Sequence, residues 1–571
     1  MKKFLMYLLL LNLITLIPIL VMAQENDNLD DTLIGARGIG DPYFPMMGNG
    51  GYDVLSYDIA LDVDMANRQV AGTVTIRAIS TQALGQFNFD FADLTISTLL
   101  VDDAPADFTQ ADNELMITPA DIIPENTPFT VTVSYASASN IERLGSWYFY
   151  DGGVMVAGEP TGASGWYPVN EHPSDKATYR YCVTADEGYI VGANGTQESA
   201  ITEDGRTTFC WSSPELMSSY LTTIAIGDFY IVTDETQNDI PIRNYFAVGV
   251  DDEALESFPL QAAMIDYFET VFGPYPFEVY GSVVHNLRLG FALETQTLST
   301  FGSAFTTESV IAHELAHQWF GNAVSPAAWQ YIWLNEGFAT YAEMLWVEHS
   351  QGTQALDEGI RDMYAGMVDT NQSFYVTRAD LANFLSQIPL TGVELSQQQA
   401  QEAITLLLGE ILSTTQIEKL VNEINTPTIS DEVLISRITS APFQGGDINL
   451  RGVYQFMIML NLQEVADEWG LNPDVLIGDP GAYNLFAGQV YQRGALTLHA
   501  LRLEIGDDAF FETLRTYVAQ FNDSHATTDD FIGVAEAISG QELDKFFDGW
   551  LYQLEIPDIP QMDLFARDFQ S

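Results

Sequence analysis

The sequence predicts an α+β multidomain chain: an N-terminal antiparallel, β-sandwich-like domain followed by a mainly α-helical one. Three observations carry this. The chain has 571 residues, too many for one compact core. From Tyr52 to about Val250, short alternating apolar runs (55–63, 69–78, 129–135, 189–192) are separated by Gly, Asn, Asp and Pro, the pattern of half-buried strands. After Asp251 the apolar residues recur at helical spacing, first over 255–272, and most later segments share that period.

The expected divisions are a signal segment at 1–23, a polar, flexible lead-in at 24–45, the β domain at 46–250 and the helical domain at 251–571. Within the last, 380–475 reads as an inserted amphipathic helical subdomain. Ile404, Leu407, Leu408 and Ile411 share one helical face, as do Ile417, Leu420, Val421 and Ile424.

Composition narrows the function classes. Hydrophobic residues make up 47%, aromatic residues 12% and charged residues 18% of the chain, which is globular rather than disordered. Lysine and arginine total 21 against 79 aspartates and glutamates, a formal charge of −58. Such a surface repels phosphate backbones, which excludes nucleic-acid binding, and it disfavours anionic membranes.

Lys2 and Lys3 precede an apolar run at 4–21 broken by Asn12, Thr15 and Pro18, and Val21-Met22-Ala23 offers a cleavage site before Gln24. This is the form of a secretory signal peptide, so the mature chain is expected outside the cytoplasm and off the membrane. The competing reading is an uncleaved N-terminal anchor, for which the run is nearly long enough. The two cysteines, Cys182 and Cys210, sit in strand-like runs that antiparallel pairing could bring together. A disulfide and two buried thiols both fit.

The chemistry concentrates in His313-Glu314-Leu315-Ala316-His317. The surrounding run 309–320 has helical periodicity, with Thr306 or Thr307 as candidate N-cap and Gly321 just past the end. Residues i and i+4 share a helix face, so His313 and His317 can hold one metal ion, and Glu314 between them can serve as general base on a water. A catalytic zinc needs a third protein ligand and an open position. Glu336, with 18 residues between it and His317, allows a turn near Ser325-Pro326 and a second helix returning beside the first. Glu343, seven residues further, falls on the same helical face. It either hydrogen-bonds a liganding histidine or is a solvated surface carboxylate.

The 313–317 motif, the 18-residue gap and Asn335-Glu336-Gly337-Phe338-Ala339-Thr340-Tyr341 resemble the aminopeptidase N and leukotriene-A hydrolase family of zinc metallopeptidases. The resemblance implies a thermolysin-like helical catalytic domain, one Zn2+ per chain on His313, His317 and Glu336, and peptide substrates with a free N-terminus. Family members carry a Gly-x-Met-Glu-Asn segment whose glutamate holds the substrate's α-amine. Phe291-Ala292-Leu293-Glu294-Thr295 resembles it, keeping the glutamate as Glu294 and replacing its Gly, Met and Asn. Gly158-Glu159-Pro160-Thr161-Gly162-Ala163 resembles the segment that supplies a second amine anchor, here Glu159. Val490-Tyr491-Gln492-Arg493-Gly494-Ala495 resembles the segment whose tyrosine stabilises the oxyanion, here Tyr491, with Arg493 in place of a lysine. The likeness also takes in Glu171-His172-Pro173-Ser174-Asp175-Lys176. His285, His349 and His499 lie in apolar or helical settings and His172 and His525 in turns or loops, and none is assigned to a site.

The leading expectation is therefore a secreted zinc aminopeptidase with Glu314 and Tyr491 as catalytic residues. Two alternatives stand beside it: a zinc endopeptidase or epoxide hydrolase on the same scaffold, and a non-catalytic peptide-binding surface protein.

Overall fold

A computed structural model describes residues 31–92, 94–137, 145–368 and 475–569, with the backbone of 375–376 and 448–449. The signal segment 1–23, the start of the lead-in and nearly all of the expected insertion at 380–475 lie outside the described residues.

The N-terminal half is built on an eight-stranded sheet. Its long strands read as their sequence alternates. In Tyr52–Asp64, Ile59, Leu61 and Val63 point into the core while their neighbours face out. Gln69–Ser80 and Pro128–Ala136 follow antiparallel beside it. On its other side lies Ala177–Asp186, which runs parallel to it, then Arg206–Met217 and Thr196–Glu203. A three-stranded sheet (Phe87–Asp90, Glu114–Thr118, Asp107–Ala111) and a four-stranded one (Ile190–Ala193, Ile224–Gly227, Gly153–Val156, Trp147–Tyr150) complete the β layers. Cys182 and Cys210 stand opposite one another in neighbouring strands and are joined in a disulfide, with Cα atoms 4.1 Å apart.

The break expected near residue 250 falls inside a sheet. Pro241–Ala247 pairs antiparallel with Phe229–Glu235 on one side and parallel with Tyr280–His285 on the other. The sheet then continues through Ser299–Gly302 to the two-residue edge strand Ala292–Leu293. The strands at 229–247 thus belong with the helical half. The chain makes its parallel return through the first helix, α1 (Gln261–Phe272).

Helices α2 (Glu308–Ala316), α3 (Trp333–Gln351) and α4 (Thr353–Val368) follow, then α5 (Gly488–Ile505), α6 (Asp507–Phe521), α7 (Thr528–Ser539) and α8 (Asp544–Leu551). Among the described residues no helix is long and apolar enough to cross a membrane. Between α2 and α3, where a turn at Ser325-Pro326 is expected, Val324–Pro326 instead pairs as a short strand with Ser524–Ala526.

The two halves are fastened at several points. Residues 31–45, expected as part of a flexible lead-in, are mostly exposed but are pinned at Gly35 and Asp41, which are buried. Asp41 is buried and accepts hydrogen bonds from the backbone N–H of Tyr43, Phe44 and Trp329, the last at 2.9 Å. His172, in the loop expected for it, is buried and lies 3.3 Å from the same carboxylate. Lys176, on the β side, buries its ammonium group against the carbonyl oxygens of Asn322 and Ala323. Burial pushes this lysine down to about 7, with Asp523 acting in the opposite direction.

Two stability measurements follow. The disulfide closes a loop with a sequence separation of 28, so replacing both cysteines by serine is expected to lower unfolding stability by roughly 3–4 kcal/mol in denaturant titrations. The second concerns Asp175, where burial pushes the carboxyl up to about 8, with the Asn170 amide pulling it back. An unfolded aspartate titrates near 3.9, so the folded chain binds the extra proton between those values and loses stability as pH rises from about 4 to about 8. Asp175→Asn is expected to remove that decline. Stability against pH in this window should become flatter by up to about 1.4 kcal/mol per pH unit.

Candidate active site

Helix α2 begins with the Thr307 side chain accepting from the backbone N–H of Val310 at 3.4 Å. It ends at Ala316, one turn before Gly321, whose φ is +117°. Gly321 takes a backbone shape that side chains resist, and a Cβ there would come within 3.1 Å of the Asn335 amide.

His313 and His317 lie on one face of this segment with ring centroids 4.7 Å apart. Helix α3 runs back beside it and brings Glu336 to both. The Glu336 Oε2 atom is 3.2 Å from His313 Nε2 and 3.4 Å from His317 Nε2. The outer nitrogens are already engaged. His313 Nδ1 meets Glu343 Oε1 at 2.9 Å, and His317 Nδ1 meets the Phe320 carbonyl at 3.0 Å. Donation outward from Nδ1 leaves both Nε2 lone pairs facing inward, as ligation requires. Donor atoms of His313, His317 and Glu336 all lie within 4.8 Å of one another. Two imidazoles and one carboxylate, buried and convergent, fit a single zinc ion.

Around this trio are three more buried carboxyls. Donor atoms of Glu294 and Glu314 come within 4.8 Å of each other and of His317. Glu159, beside a cis peptide bond to Pro160, is close enough to feel the charges of Glu294, Glu336 and Glu314. Burial, and then those neighbouring carboxylates, push Glu159 well above the ordinary carboxylate range. Burial also raises Glu314, against the pull of the two histidines. Glu336 goes the other way: burial opposes it, but His317 and His313 hold it low. One buried oxygen of Glu159 and one of Glu294 have no hydrogen-bond donor. An unpaired buried acceptor costs about 1–3 kcal/mol, so a donor reaching either atom would be favoured there.

Tyr491 completes the wall. Its ring stacks along His313 at 5.8 Å and 21°. Burial and then the four carboxylates keep the phenol protonated and able to donate. Its position depends on how α5 crosses α3. Gly337, next to Glu336, touches Gly494, three residues after Tyr491. A Cβ on Gly494 would stand 2.6 Å from the Gly337 Cα, and one on Gly337 would stand 2.8 Å from the Gly494 Cα. Backbone meets backbone there, and no side chain fits. Arg493 is buried and reaches away from the site. Its guanidinium donates to the carbonyls of Trp550, Leu554 and Gly549, tying the end of α8 to the first turns of α5.

The structure therefore gathers every residue singled out from the sequence for the site, and places Glu343 against His313. Sequence reasoning passed over others. Glu171 accepts from the backbone N–H of Ala163 and of Ser164, the latter at 3.1 Å, and so braces the turn that follows Glu159. Tyr220 is buried beside Glu294 and Glu159, its hydroxyl donating to the Gly321 carbonyl at 3.2 Å. Glu171 lay in a segment already recognised, but its sequence context did not show what it braces.

A β domain abutting a helical one, with a buried His-His-Glu cluster and a further buried glutamate, Glu314, beside it, fits a metallopeptidase-type centre. Comparison with known proteins agrees. The Peptidase M1 N-terminal domain matches residues 54–221, and the Peptidase family M1 domain matches 265–398 and 478–550. Together they cover more than half of the chain, which belongs to peptidase family M1.

The Arabidopsis thaliana Aminopeptidase M1 is 27% identical over 343 residues, 53% of this chain and 39% of that protein. The Mus musculus Glutamyl aminopeptidase is 32% identical over 213 residues, 34% of this chain and 22% of that protein. The matched region thus spans well under half the length of these relatives. A crystal structure of the M1 zinc metallopeptidase from Deinococcus radiodurans superposes with a TM-score of 0.68 at 25% identity, covering 92% of this chain and 99% of that one. Family and donor set together assign zinc as the cofactor.

The glycine contact yields a direct test. Gly494→Ala is expected to force α5 off α3, lowering stability by about 1–3 kcal/mol and cutting kcat by more than the stability loss explains. Gly533→Ala, within α7 and with open space around it, serves as the control on kcat.

Proposed function

We propose that this chain is a secreted zinc aminopeptidase that removes N-terminal residues from peptides. The observation that carries the reading is the pair of donor-less buried carboxyl oxygens on Glu159 and Glu294, set beside the His313, His317 and Glu336 cluster. A free α-amine supplies the missing donors, and its distance from the metal fixes cleavage at the first peptide bond. The aminopeptidase names of the relatives support this reading. Export rests on the signal-peptide form of residues 1–23.

In this reading His313, His317 and Glu336 hold the ion, and Glu343 keeps His313 in the liganding tautomer. Zinc bound there supplies Lewis acidity, acidifying a water and polarising the scissile carbonyl. Glu314 takes the proton from the attacking water and passes it to the departing amine. Its raised affinity for protons suits both steps. Tyr491 donates to the carbonyl oxygen as it gains charge. Glu159 and Glu294 hold the amine and exclude N-blocked chains.

The test uses matched peptides with free and acetylated N-termini, with and without a chelator. Cleavage is expected only of the free peptides, and only without chelator. Equal cleavage of both would replace the exopeptidase reading with an endopeptidase one. Glu314→Gln is expected to keep stoichiometric zinc while lowering kcat by at least about 100-fold. Undiminished turnover would remove Glu314 from the mechanism.

A further inference from the structure

An anchor for an amine must hold its carboxylate at a fixed distance from the metal, because small misplacements at a reacting centre are costly. Glu294 lacks the usual support for this. The strand before it is only two residues long, and its pairing with Ser299–Gly302 ends at Leu293. The turn after it passes through Thr297 at a φ of +62°. Sheet hydrogen bonding therefore stops just short of the residue that matters most.

Two side-chain amides take over. The carbonyl oxygen of Glu294 accepts from Asn322 Nδ2 at 2.7 Å and from Gln318 Nε2 at 3.2 Å. The other end of the Gln318 amide accepts from the backbone N–H of Thr297 at 2.9 Å. One glutamine thus spans both ends of the turn. Both amides are fully buried, and both follow His317 within five residues. The carbonyl of Asn322 is itself held by the Lys176 ammonium group at 2.8 Å. The segment that delivers His317 to the metal also delivers two amides to the backbone of Glu294.

We propose that Gln318 and Asn322 are positioning residues for amine recognition: they register Glu294 against His317, with Lys176 bracing Asn322 from the β domain. This rests on the reading of Glu294 as the amine anchor.

The test measures how much the amine contributes to binding, independently of turnover. Zinc-loaded wild type, Gln318→Met, Asn322→Leu and Glu294→Gln are titrated calorimetrically with leucine hydroxamate and with its des-amino analogue, 4-methylpentanoyl hydroxamate. Each hydroxamate reports the metal, and the ratio of the two affinities reports the amine. In Gln318→Met and Asn322→Leu the ratio is expected to fall by about tenfold, while zinc content and des-amino affinity stay within about threefold of wild type. A role confined to stability would leave the ratio unchanged, and that result overturns the proposal if Glu294→Gln still collapses the ratio. If Glu294→Gln leaves the ratio intact, the amine-anchor reading fails and the proposal falls with it. Gln318→Asn keeps the amide and shortens its reach by one methylene. It gives the same test, with a smaller shift, should the larger substitutions fail to fold.

Discussion

The burial of four carboxyl groups at one point is the constraint around which the rest of this molecule is arranged. Glu159, Glu294, Glu314 and Glu336 meet in one buried cluster, where among the described residues His313 and His317 act against their mutual repulsion. Taking such charges out of water is expensive unless they are paired. Glu336 is stabilised by two imidazoles at 3.2 and 3.4 Å, but Glu159 and Glu294 are left with unmatched oxygens. The scaffold must hold these groups together against their repulsion.

That hold comes from places where atoms cannot move apart or closer. Two glycines in contact fix the crossing of α3 and α5, which sets the distance from Glu336 to Tyr491. Arg493 fastens the base of α5 to the end of α8. On the opposite side, Glu171 braces the turn behind Glu159, and Lys176 crosses from the β half to the loop behind His317. The two halves are thereby joined beside the metal-ligand cluster.

What the sequence disclosed follows from periodicity. Two histidines at i and i+4, and two glutamates seven apart on a second helix, need only the helix repeat to be placed, and the structure gathers all four. Two cysteines in short alternating runs could be expected to meet, and they do. Glu159, Glu294 and Tyr491 were legible only by likeness to a family, because nothing in their local pattern says which distant segment they will face. The sheet that runs across residue 250 was not legible, because alternation identifies a strand but not its neighbours. The strand Pro241–Ala247 finds its partner Tyr280–His285 only after an intervening helix. Gln318 and Asn322 sit in a motif read for its ligands alone, and their amides act on a backbone 24 and 28 residues upstream.

The clasp between Asp41 and Trp329 has a consequence for biosynthesis. The two residues are 288 positions apart, and Phe44 packs edge-on against the same tryptophan. At roughly 5–20 residues per second, about 15–60 s separate the emergence of the two partners from the ribosome. For that interval the nascent chain carries an unfinished seam with an aspartate and a phenylalanine waiting for their counterparts. Closure of the seam coincides with the arrival of the helix bearing Glu336, and Tyr491 follows only 155 residues later, so the metal ligands can meet before the last wall of the pocket is made.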